Sequence, residues 1–122
     1  MSDGIYQTSD ADFRYFQKRF QYWVDFYGLK EWKIYFNHED VEAAYAYIYI
    51  KALGRCCTVY LSVDWTQKPS KEKLNESAFH EATHLLLGKI DTLSRDRYIT
   101  EDQINNEIHG IVRVLEKVIL KI

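Results

Sequence analysis

Residues 80–84 read His-Glu-Ala-Thr-His, and this short run concentrates the side chains best suited to chemistry. On a helix, two histidines four residues apart stand one turn apart on the same face. Both imidazoles can then reach a single ion at about 2.0–2.1 Å. Glu81 is rotated away from that pair. It can sit beside a metal-bound water without ligating the ion, and take a proton from that water as a peptide carbonyl is attacked. With four histidines and nine glutamates in 122 residues, chance alone gives such a match about once in a hundred chains, so the surroundings of the motif must carry the rest.

The surroundings agree. Leu74, Ala78, Ala82, Leu85 and Leu86 line one side of the helix, while His80 and His84 fall on another, beside Ser77 and Gly88. That gives an apolar side to bury and a histidine side to face a cleft. The run Leu85-Leu86-Leu87 makes the helix apolar over much of its circumference, which predicts burial, and a buried histidine pair needs a reason.

A catalytic zinc takes three protein ligands and leaves one position open. The other histidines are His38 and His109, and the downstream acids are Asp91, Asp96, Glu101, Asp102, Glu107 and Glu116. On the last helix, Ile104, Ile108, Ile111, Val112, Leu115, Val118 and Ile119 form the expected core stripe, and Glu107 lies at its edge. Glu107 therefore ranks first as third ligand, His109 second and Glu101 third. An acid in the first turn, like Glu101, already has a role facing the helix dipole. For stabilising an oxyanion, Tyr98, Arg95, Arg97 and His109 are near in sequence, and spacing singles out none of them.

These residues need elements to hold them. Asp10 to Tyr27 repeats Phe13, Phe16, Phe20, Trp23, Val24 and Tyr27 at helical spacing, with Ser9 and Asp12 for an N-cap and Gly28 at C′. Three segments alternate with period two: Trp32 to Phe36, Ala44 to Ile50 and Cys56 to Val63. Leu53-Gly54-Arg55 suits a turn, so the last two form a hairpin. The tyrosines Tyr45, Tyr47 and Tyr49 share one face of their strand, or flank a peptide groove on an edge. Ser70 caps the motif helix, expected to end near Leu87 with Gly88 as its stop. An irregular stretch from Lys89 to Ile99 follows, then a capping box of Thr100 and Gln103 opens the final helix. The order α-β-β-β-α-α predicts one α+β domain over residues 1–122: N-terminal helix, three-stranded antiparallel or mixed sheet, motif helix and C-terminal ligand helix.

Composition sets the frame. Apolar residues make up 47% of the chain, enough for a single core. The net charge of −2 without a basic stripe suggests no nucleic-acid partner. The polar, acidic start MSDGIYQTSDAD lacks the pattern of a secretory signal, and no segment reaches membrane-spanning length, so a cytoplasmic location is expected. Cys56 and Cys57 are neighbours on a strand and point to opposite faces, which disfavours a bridge between them and reads as two small strand residues.

HEATH followed by a ligand helix resembles the zincin metallopeptidases. The compact order is similar to SprT-like minimal zincins. EIHGIVRVLEKV (Glu107 to Val118), the WKIYF strand and the HEATHLLL helix resemble small metallopeptidase-like proteins of phage and prophage origin. The resemblance spans most of the chain, with only the five-residue motif highly specific. It implies Zn²⁺ on His80 and His84, Glu81 as general base, and a protein or peptide substrate in the host cytoplasm. Glu107 as third ligand would place the chain among the gluzincins. The pattern departs in three ways. A SprT-like third histidine would be His109, which is out of helix phase. No histidine follows Gly88 at metzincin spacing. The acid often found four residues after the gluzincin ligand is here Ile111, so the group that would orient a ligand histidine is not identified.

Three functions follow as expectations: a zinc-dependent peptidase, a zincin scaffold that binds a protein partner without turnover, and a structural zinc site drawing on Cys56 or Cys57. Cobalt, nickel or manganese also suit two histidines and a carboxylate. The apolar end formed by Val118, Ile119, Leu120 and Ile122 raises dimerisation as a further expectation; substrate and oligomeric state are not readable from the residues.

Overall fold

The computed structural model describes residues 6–120. Ile122 and the first five residues of the polar N-terminal segment lie outside them. The element order is β1 (Tyr6–Gln7), α1 (Asp10–Tyr27), β2 (Lys33–His38), β3 (Ala46–Lys51), β4 (Cys56–Leu61), β5 (Asp64–Trp65), α2 (Lys71–Ser94) and α3 (Glu101–Leu120). The fold is α+β.

The sheet is mixed. Its order is β2-β4-β3, with β4 central, parallel to β2 and antiparallel to β3. The expected hairpin joins β3 to β4, and its positive φ falls on Arg55 rather than on Gly54. Period two decides the faces: Cys57, Val59 and Leu61 are buried, as is Ile48 across from Val59, whereas Tyr47 and Tyr49 face solvent. Two two-residue strands, β1 and β5, pair antiparallel beside this sheet. They were not expected, because two residues show no period.

α1 begins with a full capping box between Ser9 and Asp12 and ends on Gly28 in the left-handed region at φ 75°. It buries Phe16, Phe20, Val24 and Tyr27 against the sheet and α2. Polar pins fix the two helices. Asn75 Oδ1 accepts from Arg19 Nε at 2.7 Å and Trp23 Nε1 at 3.0 Å, and the Tyr27 and Thr83 hydroxyls meet at 3.0 Å. His38 has structural work: its ring stacks on Phe13, and its Nε2 lies 2.7 Å from the Thr8 hydroxyl.

The expected end of the motif helix is wrong. α2 runs through Gly88 to Ser94, and Gly88 is a buried interior position, not a stop. A Cβ there would meet Ile50 Cδ1 at 3.1 Å and Cγ2 at 3.3 Å, so the glycine lets α2 lie close on β3. Only residues 95–100 remain between α2 and α3.

α3 also departs from expectation. Thr100 and Gln103 form the capping box. The stripe read as core is split, however: Ile111 and Val118 pack inward, joined by Val114 from outside the stripe, while Ile108, Val112, Leu115 and Ile119 are exposed. No α3 residue is fully buried. No helix of the described residues is long and apolar enough to cross a membrane.

Candidate metal centre

α2 carries the motif because three of its positions are dictated by packing. Ala78, Ala82 and Leu85 drive into the core, and this turns residues 80 and 84 outward. The histidine pair is therefore exposed, against the expectation of burial. Leu87, the residue that suggested an apolar circumference, is exposed too.

The His80 and His84 Nε2 atoms lie 3.2 Å apart with the rings nearly perpendicular. Two nitrogens bound at 2.0–2.1 Å to one tetrahedral ion sit about 3.3–3.4 Å apart. The two Nε2 atoms thus lie close to the spacing that chelation of one ion requires. Without an ion, the same spacing serves a hydrogen bond from one ring N–H to the other ring nitrogen.

Glu81 points inward and is 6% exposed. Its carboxyl pKa is raised above the ordinary carboxylate value, chiefly because burial removes water from the charged form; the nearby His80 opposes this in part. Glu81 sits at the junction of two shallow clefts between α2 and β3. One, about 320 Å³, is lined by Ala44, Tyr45, Ala46, Glu76, Ser77, His80 and Glu81. The other, about 350 Å³, is lined by Tyr47 to Ile50 with Glu81, His84, Asp91 and Arg95. The histidines, the carboxylate and an edge strand thus share one surface.

Glu107 is not brought to this surface. It lies in a different cavity with Leu85, Leu86, Lys89 and Leu93, and its carboxylate is 3.6 Å from Lys89 Nζ. Lys89 follows His84 by five residues, about 140° round the helix, so α3 packs on the flank of α2 away from the histidines. Of the other candidates only Arg95 lines a cleft, and there it pairs with Asp91; His109, Glu101, Tyr98, Arg97 and the two cysteines line neither. His109 is exposed on α3. Glu101 is exposed in the first turn of α3, where it meets the helix dipole. Tyr98 is 80% exposed, beside the Arg97 guanidinium. Cys57 is sealed in the core, and its thiol pKa is pushed up to about 12 by burial and by the neighbouring Cys56. Among the described residues, no three or more His, Cys, Asp or Glu side chains are grouped to hold a metal.

Two acids that the sequence did not single out line the clefts instead. Glu76 stands one turn before His80 on the same face and is exposed. Asp91 stands two turns after His84 and pairs with Arg95 at 3.2 Å. Spacing alone points to Glu76. Asp91, named among the downstream acids but not ranked, is placed on the histidine side only because α2 continues past Gly88. No family model, no curated protein and no solved structure matches the chain.

Proposed function

We propose that this chain is a zincin-like, zinc-dependent peptidase. The observation carrying the proposal is the pair of Nε2 atoms 3.2 Å apart with the next residue, Glu81, turned into the cleft. His80 and His84 would hold the ion. Zinc in such a site supplies Lewis acidity, lowering the pKa of a bound water and polarising a carbonyl. The Glu81 carboxylate would take a proton from the attacking water and pass it to the leaving amine. Burial raises its carboxyl pKa above the ordinary carboxylate value, which is the direction that favours proton transfer in both halves of that task. Among the described residues β3 has a sheet neighbour on one side only, and Glu81 lines a cleft beside it. An extended peptide can pair with that edge and bring its carbonyl to the histidines.

The test is cleavage of a diverse peptide library by zinc-loaded protein, with Glu81→Gln as control. Cleavage by the parent, with a loss of at least ~100-fold in the variant at unchanged zinc content, is the expected result. Equal cleavage by both proteins would falsify the assignment of Glu81.

One observation favours a second reading, a zincin scaffold that binds a protein without turnover: the described residues bring no third side-chain ligand to the histidines. A stable complex with a peptide at β3, with no cleavage product, would decide for it.

A further inference from the structure

We infer that the chain associates with a second copy of itself through α3, the two helices running antiparallel. Ile108, Val112, Leu115 and Ile119 are between 38% and 71% exposed. Their spacing of four, three and four residues places them on a single stripe along three turns, the a/d pattern of a two-helix seam. The helix packs inward with a different and more mixed arc, including Glu107, Gly110, Ile111 and Val114. Its most apolar side is thus the one left to solvent. A stripe of branched aliphatic side chains in water is the mark of an interaction face rather than of ordinary surface scatter.

The charges beside the stripe choose the occupant and its direction. One flank carries His109, Arg113 and Glu116, all exposed; the other carries Ile104, Ile111 and Val118. In a parallel pair these unlike flanks meet, setting Glu116 against Ile111 and Val118 of the second copy. In an antiparallel pair like flanks meet. A two-fold axis between residues 113 and 114 then sets Ile108 against Ile119 and Val112 against Leu115. It also brings His109 and Arg113 of each copy toward Glu116 of the other, twice by symmetry. The surface is self-complementary in the pairing of its apolar positions and in charge, which an isologous dimer requires. The seam is short compared with a standard interface, so association of micromolar strength is expected.

Sedimentation velocity on the whole chain, from about 1 µM to about 300 µM, tests this. The expected result is a concentration-dependent species of twice the 14.6 kDa chain mass. Val112→Glu and Ile119→Glu should each weaken it at least ~30-fold. Both sites are exposed, and far-ultraviolet circular dichroism should show the fold retained. Glu116→Arg alone and Arg113→Glu alone should each weaken the dimer about 3–5-fold, and the combined exchange should restore it. A parent that stays monomeric throughout, or a dimer indifferent to Val112→Glu, overturns the inference. Failure of the combined exchange to recover overturns the antiparallel pairing.

Discussion

Replacing Glu81 with glutamine should make the metal-free protein more stable at neutral pH. Glu81 is buried between α2 and β3, with Ala46, Ile48 and Ile50 among the neighbouring strand residues lining its clefts. Holding a carboxylate there costs solvation, which is why its pKa is raised. Glutamine keeps the shape and removes the charge. Mutational costs of burying poorly compensated polar groups put the gain at about 1–2 kcal/mol, or about 3–8 °C in melting temperature for a domain of this size. The sign with pH follows from linkage. A carboxyl whose folded pKa lies above its unfolded value of about 4.3 favours folding most when protonated, so its contribution is full below pH 4.3 and is lost as pH rises through the folded value. The parent should therefore fall behind Glu81→Gln as pH is raised from about 4.5 toward neutrality. Thermal unfolding of chelator-treated proteins across that range measures the gap, and the other carboxylates cancel in the difference. A variant that melts at or below the parent at pH 7.5, or a gap that does not grow with pH, refutes the reasoning that a desolvated charge is held ready at this position.

Further outcomes follow from the packing. Gly88→Ala gains about 1 kcal/mol of helix propensity but drives a Cβ against Ile50 Cγ2, which a stiff β-branched side chain cannot easily withdraw. A net loss of about 1 kcal/mol in urea unfolding is expected. Asn75→Ala orphans the Arg19 and Trp23 donors and should cost about 1–2 kcal/mol by the same measurement. Cys57, held as a thiol up to about pH 12, should react with a disulfide reagent only on unfolding, while half-buried Cys56 reacts in the native protein. Glu107→Ala removes a partly exposed ion pair with Lys89 and should leave zinc uptake unchanged and stability within about 1 kcal/mol.

Elements with local signals were legible in the sequence. α1 is set by its aromatic period, Ser9 and Gly28, and all of these are found where they were read. Alternation gave the faces of β3 and β4. Gly88 misled because a helix stop and a close helix–strand approach both call for the same residue, and only the position of Ile50 tells them apart. α3 misled for a related reason. Its period shows which residues share a face, but not which part of a wide apolar arc meets the core. The ranking of Glu107 rested on that assumption, and with the arc turned, Glu107 meets Lys89 instead. The motif's own geometry was readable because it lies within one helical turn. Glu76 was within reach of the same spacing argument, four residues before His80, whereas the place of Asp91 depended on how far α2 extends and what it faces, which is tertiary information.

Zinc titration against a chromophoric chelator tests the central claim most directly. The parent should bind one zinc per chain, and His80→Ala and His84→Ala should each weaken binding at least ~100-fold while the fold persists. A folded parent that takes up no zinc, or histidine variants that bind as the parent does, would contradict the proposal of a metal centre on α2.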